Sequence, residues 1–128
     1  MGPEGQLLLR LLVVEGHEGV REALLDHLPR QALVGAVAMA SSVPAALAFL
    51  REFHPDAVLC DPRTLKGDPA EIVGRLAKAS CPLVILTSSL WDDEERICLN
   101  AGAAAVVLKG TDLGPLLARL TQPRQQAG

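Results

Sequence analysis

Short aliphatic runs alternate with amphipathic segments along almost the whole chain. The runs are LRLLVV, LVGAVAMA, DAVLC, PLVILT and AAVVL. Each is too short for a buried helix and suits a strand covered on both faces. The segments between them have helical spacing. EGVREALLDHL places Val20, Ala23, Leu24, His27 and Leu28 on one side, and VPAALAFLREF turns Leu47, Leu50 and Phe53 inward. Asp68 and Pro69 open DPAEIVGRLAK as N-cap and first helical residue. DDEERICLNAG carries acids in its first turn, where the helix dipole favours them, and Gly102 at its end. Asp112 caps a last helix with a stripe of Leu113, Leu116, Leu117 and Leu120. Five strands alternating with five helices predict an α/β fold: a single, doubly wound, parallel sheet.

At 128 residues the chain has the size of one domain. Aromatic residues make up only 2%, so the core must be aliphatic. The formal charge is −3 and no basic face is evident, which argues against nucleic-acid binding by this domain alone. Cys60, Cys81 and Cys98 are odd in number and lack CxxC spacing. They are expected to be small buried hydrophobes in a reducing compartment. No stretch reaches the roughly 18 apolar residues of a membrane span, and no secretion signal is apparent. The expected location is the cytoplasm, with no membrane partner.

In doubly wound sheets function gathers at the carboxyl ends of the strands. Glu15 ends the first strand, Asp61 the third, Thr87 the fourth and Lys109 the fifth. Asp61 is a candidate nucleophile or metal ligand, and Glu15 can help hold a cation near it. Thr87 and Lys109 can stabilise charge on a phosphoryl group. Blander roles exist for each: an Asp61–Lys109 structural ion pair, a solvated Glu15, a turn-forming Thr87. His17 reads as a helix-start residue and Trp91 as a partner anchor or a partly buried staple. No loop rich in Gly, Ser and Thr follows the first strand, and aromatics are too few to sandwich a flavin ring, so an enzymatic or flavin-binding role ranks low.

The segments VVEGH, PDAVLCD, LVILTS and AGAAAVVLK, in this order and spacing, resemble the response regulator receiver domain, above all those preceding helix-turn-helix output domains. The resemblance covers about Leu9 to Leu120. It implies a flavodoxin-like fold with strand order 2-1-3-4-5, a receiver at residues 8–121, a flexible N-terminus at 1–7 and a tail or linker stub at 122–128. It implies a switch rather than an enzyme. Asp61 would accept a phosphoryl group from a sensor histidine kinase, a phosphotransfer protein or a small phosphodonor. Mg²⁺ would be held by Glu15, Asp61 and the backbone carbonyl of Arg63. Lys109 and Thr87 would engage the phosphoryl oxygens, and the change would reach an output protein or domain. Weak self-association through the outer face of the last helix, at Gly114, Ala118 and Arg119, is also expected.

Four positions depart from that family's pattern. Gly16 stands where the family has a second acid, so Mg²⁺ binding should be weak. Val106 replaces an aromatic residue, Gly110 replaces a proline after a cis peptide, and Leu65 replaces another proline. These changes favour the alternative of a pseudo-receiver that binds partners without phosphorylation. Two expectations follow: Gly16→Asp should restore a metal ligand, and Lys109→Ala should uncouple the switch with little loss of stability.

Overall fold

In the computed structural model the described residues are 8–89 and 93–121. The expected termini at 1–7 and 122–128, and Trp91, lie outside them. Five parallel strands form one sheet in the order β2-β1-β3-β4-β5. They are β1 (Leu9–Val14), β2 (Val34–Ala40), β3 (Ala57–Cys60), β4 (Leu83–Thr87) and β5 (Ala105–Leu108). The helices are α1 (Glu18–His27), α2 (Val43–Phe53), α3 (Pro69–Leu76), α4 (Glu94–Asn100) and α5 (Gly114–Thr121). This is the expected doubly wound arrangement.

The aliphatic runs lack polar alternation because helices cover both faces of the sheet. Every residue of β3 and β4 is buried. Side chains then alternate between two apolar layers, as the pleat requires. Leu12, Val14, Val58, Cys60 and Ile85 meet Val43 and Ala46 of α2, Ile72, Val73 and Leu76 of α3, and Cys98 of α4. On the other face Leu11, Val13, Leu59, Val84 and Leu86 meet Leu28 after α1 and Leu113 and Leu117 at α5. β5 is an edge strand and is only partly buried.

Several local expectations fare differently. Asp68 accepts from Glu71 N at 3.0 Å and caps α3, with Pro69 at the first position. Asp112 Oδ1 accepts from Gly114 N at 2.9 Å at the start of α5. The α1 stripe, by contrast, is shallow. Val20 and Leu24 are half-buried, Ala23 and His27 are exposed, and Leu28 falls in a 3₁₀ turn beyond the helix. In α2 the deep residues are Val43 and Ala46, while Leu47, Leu50 and Phe53 sit at the rim. Cys60 and Cys98 are buried, but Cys81 is only half-buried.

Candidate functional site

The strand register builds the site. Val14 lies opposite Cys60 in the β1–β3 pairing, so Glu15 and Asp61 leave the sheet side by side. Asp61 N donates to Val14 O at 3.1 Å, and Glu15 N to Ala40 O at 3.0 Å. Thr87 lies opposite Leu108 in the β4–β5 pairing, and Lys109 N donates to Thr87 O at 2.7 Å. Four residues far apart in sequence therefore share one edge.

Lys109 joins the two acids. Its Nζ lies 2.6 Å from Asp61 Oδ2 and 2.7 Å from Glu15 Oε1. Glu15 is 1% exposed and Asp61 4% exposed, so both charges are nearly out of water and need this partner. Burial alone would lower the Lys109 pKa, but the hydrogen bonds it donates to Asp61 and Glu15, then their charges, outweigh it and hold the pKa above its ordinary value. Lys109 acts by charge pairing as expected, but the burial of both partner acids argues for a larger stability cost of Lys109→Ala than expected. The ammonium is no solvated strand-end group, because it compensates two buried carboxylates. Gly110 follows with φ of 88° and a trans bond; no cis peptide occurs among the described residues.

The remaining carboxylate oxygens face backbone N–H groups. His17 N donates to Glu15 Oε2 at 2.9 Å, and Arg63 N to Asp61 Oδ1 at 3.0 Å. His17 itself caps α1 by accepting from Val20 N at 3.4 Å, as a helix-start residue should. Cys60, beside Asp61, keeps its thiol protonated, first because it is buried and then because Asp61 and Glu15 repel a thiolate.

Gly16 is not simply a lost acid. A Cβ built there would overlap the Thr64 carbonyl oxygen and come 2.8 Å from its carbon. Gly16 N also donates to Thr64 Oγ1 at 2.8 Å, and that hydroxyl donates to Asp61 O at 2.9 Å. The turn after Asp61 thus fills the space that a side chain at position 16 would need. The expectation that Gly16→Asp restores a metal ligand is therefore corrected: an aspartate fits only if the 61–64 turn moves away.

Mg²⁺ prefers hard oxygen donors and accepts waters in place of missing protein ligands. The Glu15 and Asp61 carboxylates and the Arg63 carbonyl are donors of that kind. The two acids and one ammonium leave a net negative charge, so the donor set fits the ion, although the ion must compete with Lys109. Among the described residues no group of three or more His, Cys, Asp or Glu side chains is placed to hold a metal.

Thr87 is fully buried, and its hydroxyl bonds toward the loop after β4 and the start of α4. It donates to Ser89 O at 2.8 Å and lies 3.4 Å from Glu94 Oε1. The other oxygen of Glu94 lies 3.5 Å from the Arg63 guanidinium. Sequence reasoning missed Glu94, because DDEER is already explained as favourable acids in the first turn of a helix. The available signal is that this turn follows closely on the strand end that carries Thr87.

Comparison with known proteins shows the family and the fold. Residues 11–121 match the family described as the response regulator receiver domain. The response regulator protein VraR of Staphylococcus aureus is 29% identical over 107 residues, covering 82% of this chain and 51% of VraR. The chain thus spans about half the length of the curated relatives it matches. The receiver domain of NarL from Mycobacterium tuberculosis superposes with a TM-score of 0.78 at 22% identity, covering 92% of this chain and 99% of that one. The receiver domain of RstA from Klebsiella pneumoniae gives 0.73 at 27% identity, covering 87% and 94%. No helix among the described residues is long and apolar enough to cross a membrane.

Proposed function

Because this chain belongs to the response regulator receiver family, we propose that Asp61 accepts a phosphoryl group and that the domain signals by changing its affinity for a partner. The observation that carries this reading is Lys109, 2.6 Å from Asp61 and 2.7 Å from Glu15, with Thr87 on the neighbouring strand end. An Asp61 carboxylate oxygen attacks phosphorus. The bond to the leaving group breaks, either P–N of a phosphohistidine or P–O of an acyl phosphate, and the leaving group keeps that electron pair. Lys109 turns from the carboxylate pair to the phosphoryl oxygens. Thr87 gives up Ser89 and donates to the same group. Glu15, Asp61 and the Arg63 carbonyl would hold Mg²⁺, which would supply charge neutralisation there.

Phosphorylation turns the singly charged Asp61 carboxylate into an acyl phosphate of about two negative charges beside Lys109, a change in charge and bulk that biases a two-state loop. The donor is a sensor histidine kinase or phosphotransfer protein in the cytoplasm, and the receiver of the signal is an output protein or domain. The domain is a switch without turnover of its own. Weak pairing of two copies through α5 fits the exposure of Ala118 and Arg119 there, with Leu113 and Leu117 turned inward.

One feature favours a second reading, a phosphorylation-independent binding domain: Thr64 occupies the room that an acid at position 16 would need. Intact mass after incubation with Mg²⁺ and acetyl phosphate separates the two. A gain of one phosphate, lost in Asp61→Asn, supports the phosphoacceptor. No gain in the wild type supports the second reading.

A further inference from the structure

Glu94 opens α4 and its side chain is only 12% exposed. Its two oxygens face two different elements. Oε1 lies 3.4 Å from the Thr87 hydroxyl, at the end of β4. Oε2 lies 3.5 Å from Arg63, two residues after Asp61. Arg63 also reaches Ser89 Oγ at 3.4 Å. One carboxylate therefore ties the strand end, the phosphoacceptor turn and α4 together.

We propose that Glu94 is a positioning residue: a latch that holds Thr87 in its parked orientation and hands occupancy of Asp61 on to α4. The idea rests on the reading of Asp61 as phosphoacceptor. A hydroxyl has one proton to give, so Thr87 cannot serve both Asp61's phosphoryl group and its present acceptors. Ser89 lies two residues away in the same loop and can travel with Thr87. Glu94 belongs to a helix and must be left behind or pulled along. Arg63 faces the same choice, because a phosphoryl group on Asp61 is a stronger anion than a carboxylate 3.5 Å off. Repulsion between the phosphoryl charge and Glu94 acts in the same direction. Long, partly solvated contacts of this kind are weak, so the latch can be released by one local event.

The test is the time course of phosphate gain by intact mass, with Mg²⁺ and acetyl phosphate, on the full chain. It compares the wild type, Glu94→Ala, Glu94→Gln, Thr87→Val and the double variant Glu94→Ala with Thr87→Val, each checked for folding by circular dichroism. Glu94→Ala should raise the initial rate about two- to fivefold, the range such a contact supports. Glu94→Gln keeps an acceptor for Thr87 but loses the charge, and should give a smaller gain. In the Thr87→Val background the gain from Glu94→Ala should vanish, which a merely structural role would not produce. If the wild type gains phosphate and Glu94→Ala matches it or is slower, the latch is wrong and the phosphoacceptor stands. An equal gain with and without the Thr87 hydroxyl also overturns the latch. If neither wild type nor variant gains phosphate, the phosphoacceptor reading falls and the latch with it.

Discussion

The two loops that flank Asp61 are built in opposite ways. On the β1 side the contacts are short and mostly to backbone. Gly16 N meets Thr64 Oγ1 at 2.8 Å, His17 N meets Glu15 Oε2 at 2.9 Å, and Arg21 donates to Glu15 O and Gly16 O at 3.1 and 3.0 Å. Not even a Cβ has room at position 16. On the β4 side, among the described residues, Glu94 meets Thr87 and Arg63, and Arg63 meets Ser89, at 3.4 to 3.5 Å through side-chain tips. The contrast indicates which half of the site is scaffold and which half can move. Interlocked backbone and a buried lysine triad hold the acids in place. The Thr87 loop and the first turn of α4 are tied to the Asp61 turn by bonds that a new charge can replace, while Cys98 keeps the rest of α4 on the core.

The largest expected effect tests the scaffold. Lys109→Ala should cost about 3 kcal/mol or more in urea unfolding at neutral pH, because it strands two buried carboxylates. The pH dependence has a defined sign. Lys109's pKa is raised in the folded state, so its contribution is complete below the unfolded value of about 10.4. The contribution is lost as pH rises through the higher folded value. The gap between wild type and variant should therefore stay constant from neutral pH up to about pH 10 and close above it.

Gly16→Asp comes next. It should destabilise by roughly 1–3 kcal/mol, the usual range for overpacking. Its Mg²⁺ affinity, by calorimetry, should not improve. A stable variant with tighter Mg²⁺ binding would mean that the 61–64 turn is as yielding as the other side, and the comparison would collapse. The smallest effect belongs to the mobile half. Arg63→Ala should change stability by no more than about 0.5 kcal/mol, since its pairing with Glu94 is long and Arg63 is 40% exposed.

Much of this site is legible in the sequence. Continuous aliphatic runs mark strands covered on both faces, and the topological rule for such sheets points to their carboxyl ends. That reasoning reaches Glu15, Asp61, Thr87 and Lys109 without a structure. It does not reach the Gly16–Thr64 contact, because no spacing rule states how closely two loops 48 positions apart approach. It also overstates α1, whose stripe residues Val20, Ala23, Leu24 and His27 are only half-buried or exposed, and Cys81, which follows the same apolar logic but is half-buried. Glu94 escapes for a different reason. Its place in the first turn of a helix is sufficient explanation in one dimension, and only the fold brings it against Thr87 and Arg63.

Amide hydrogen exchange, followed residue by residue with and without beryllofluoride and Mg²⁺ as a phosphoryl mimic, tests the division most directly. The account predicts altered protection at Ser89 and through the first turn of α4, with Gly16 and His17 unchanged. Altered exchange at Gly16 and His17 with none in α4 would contradict it.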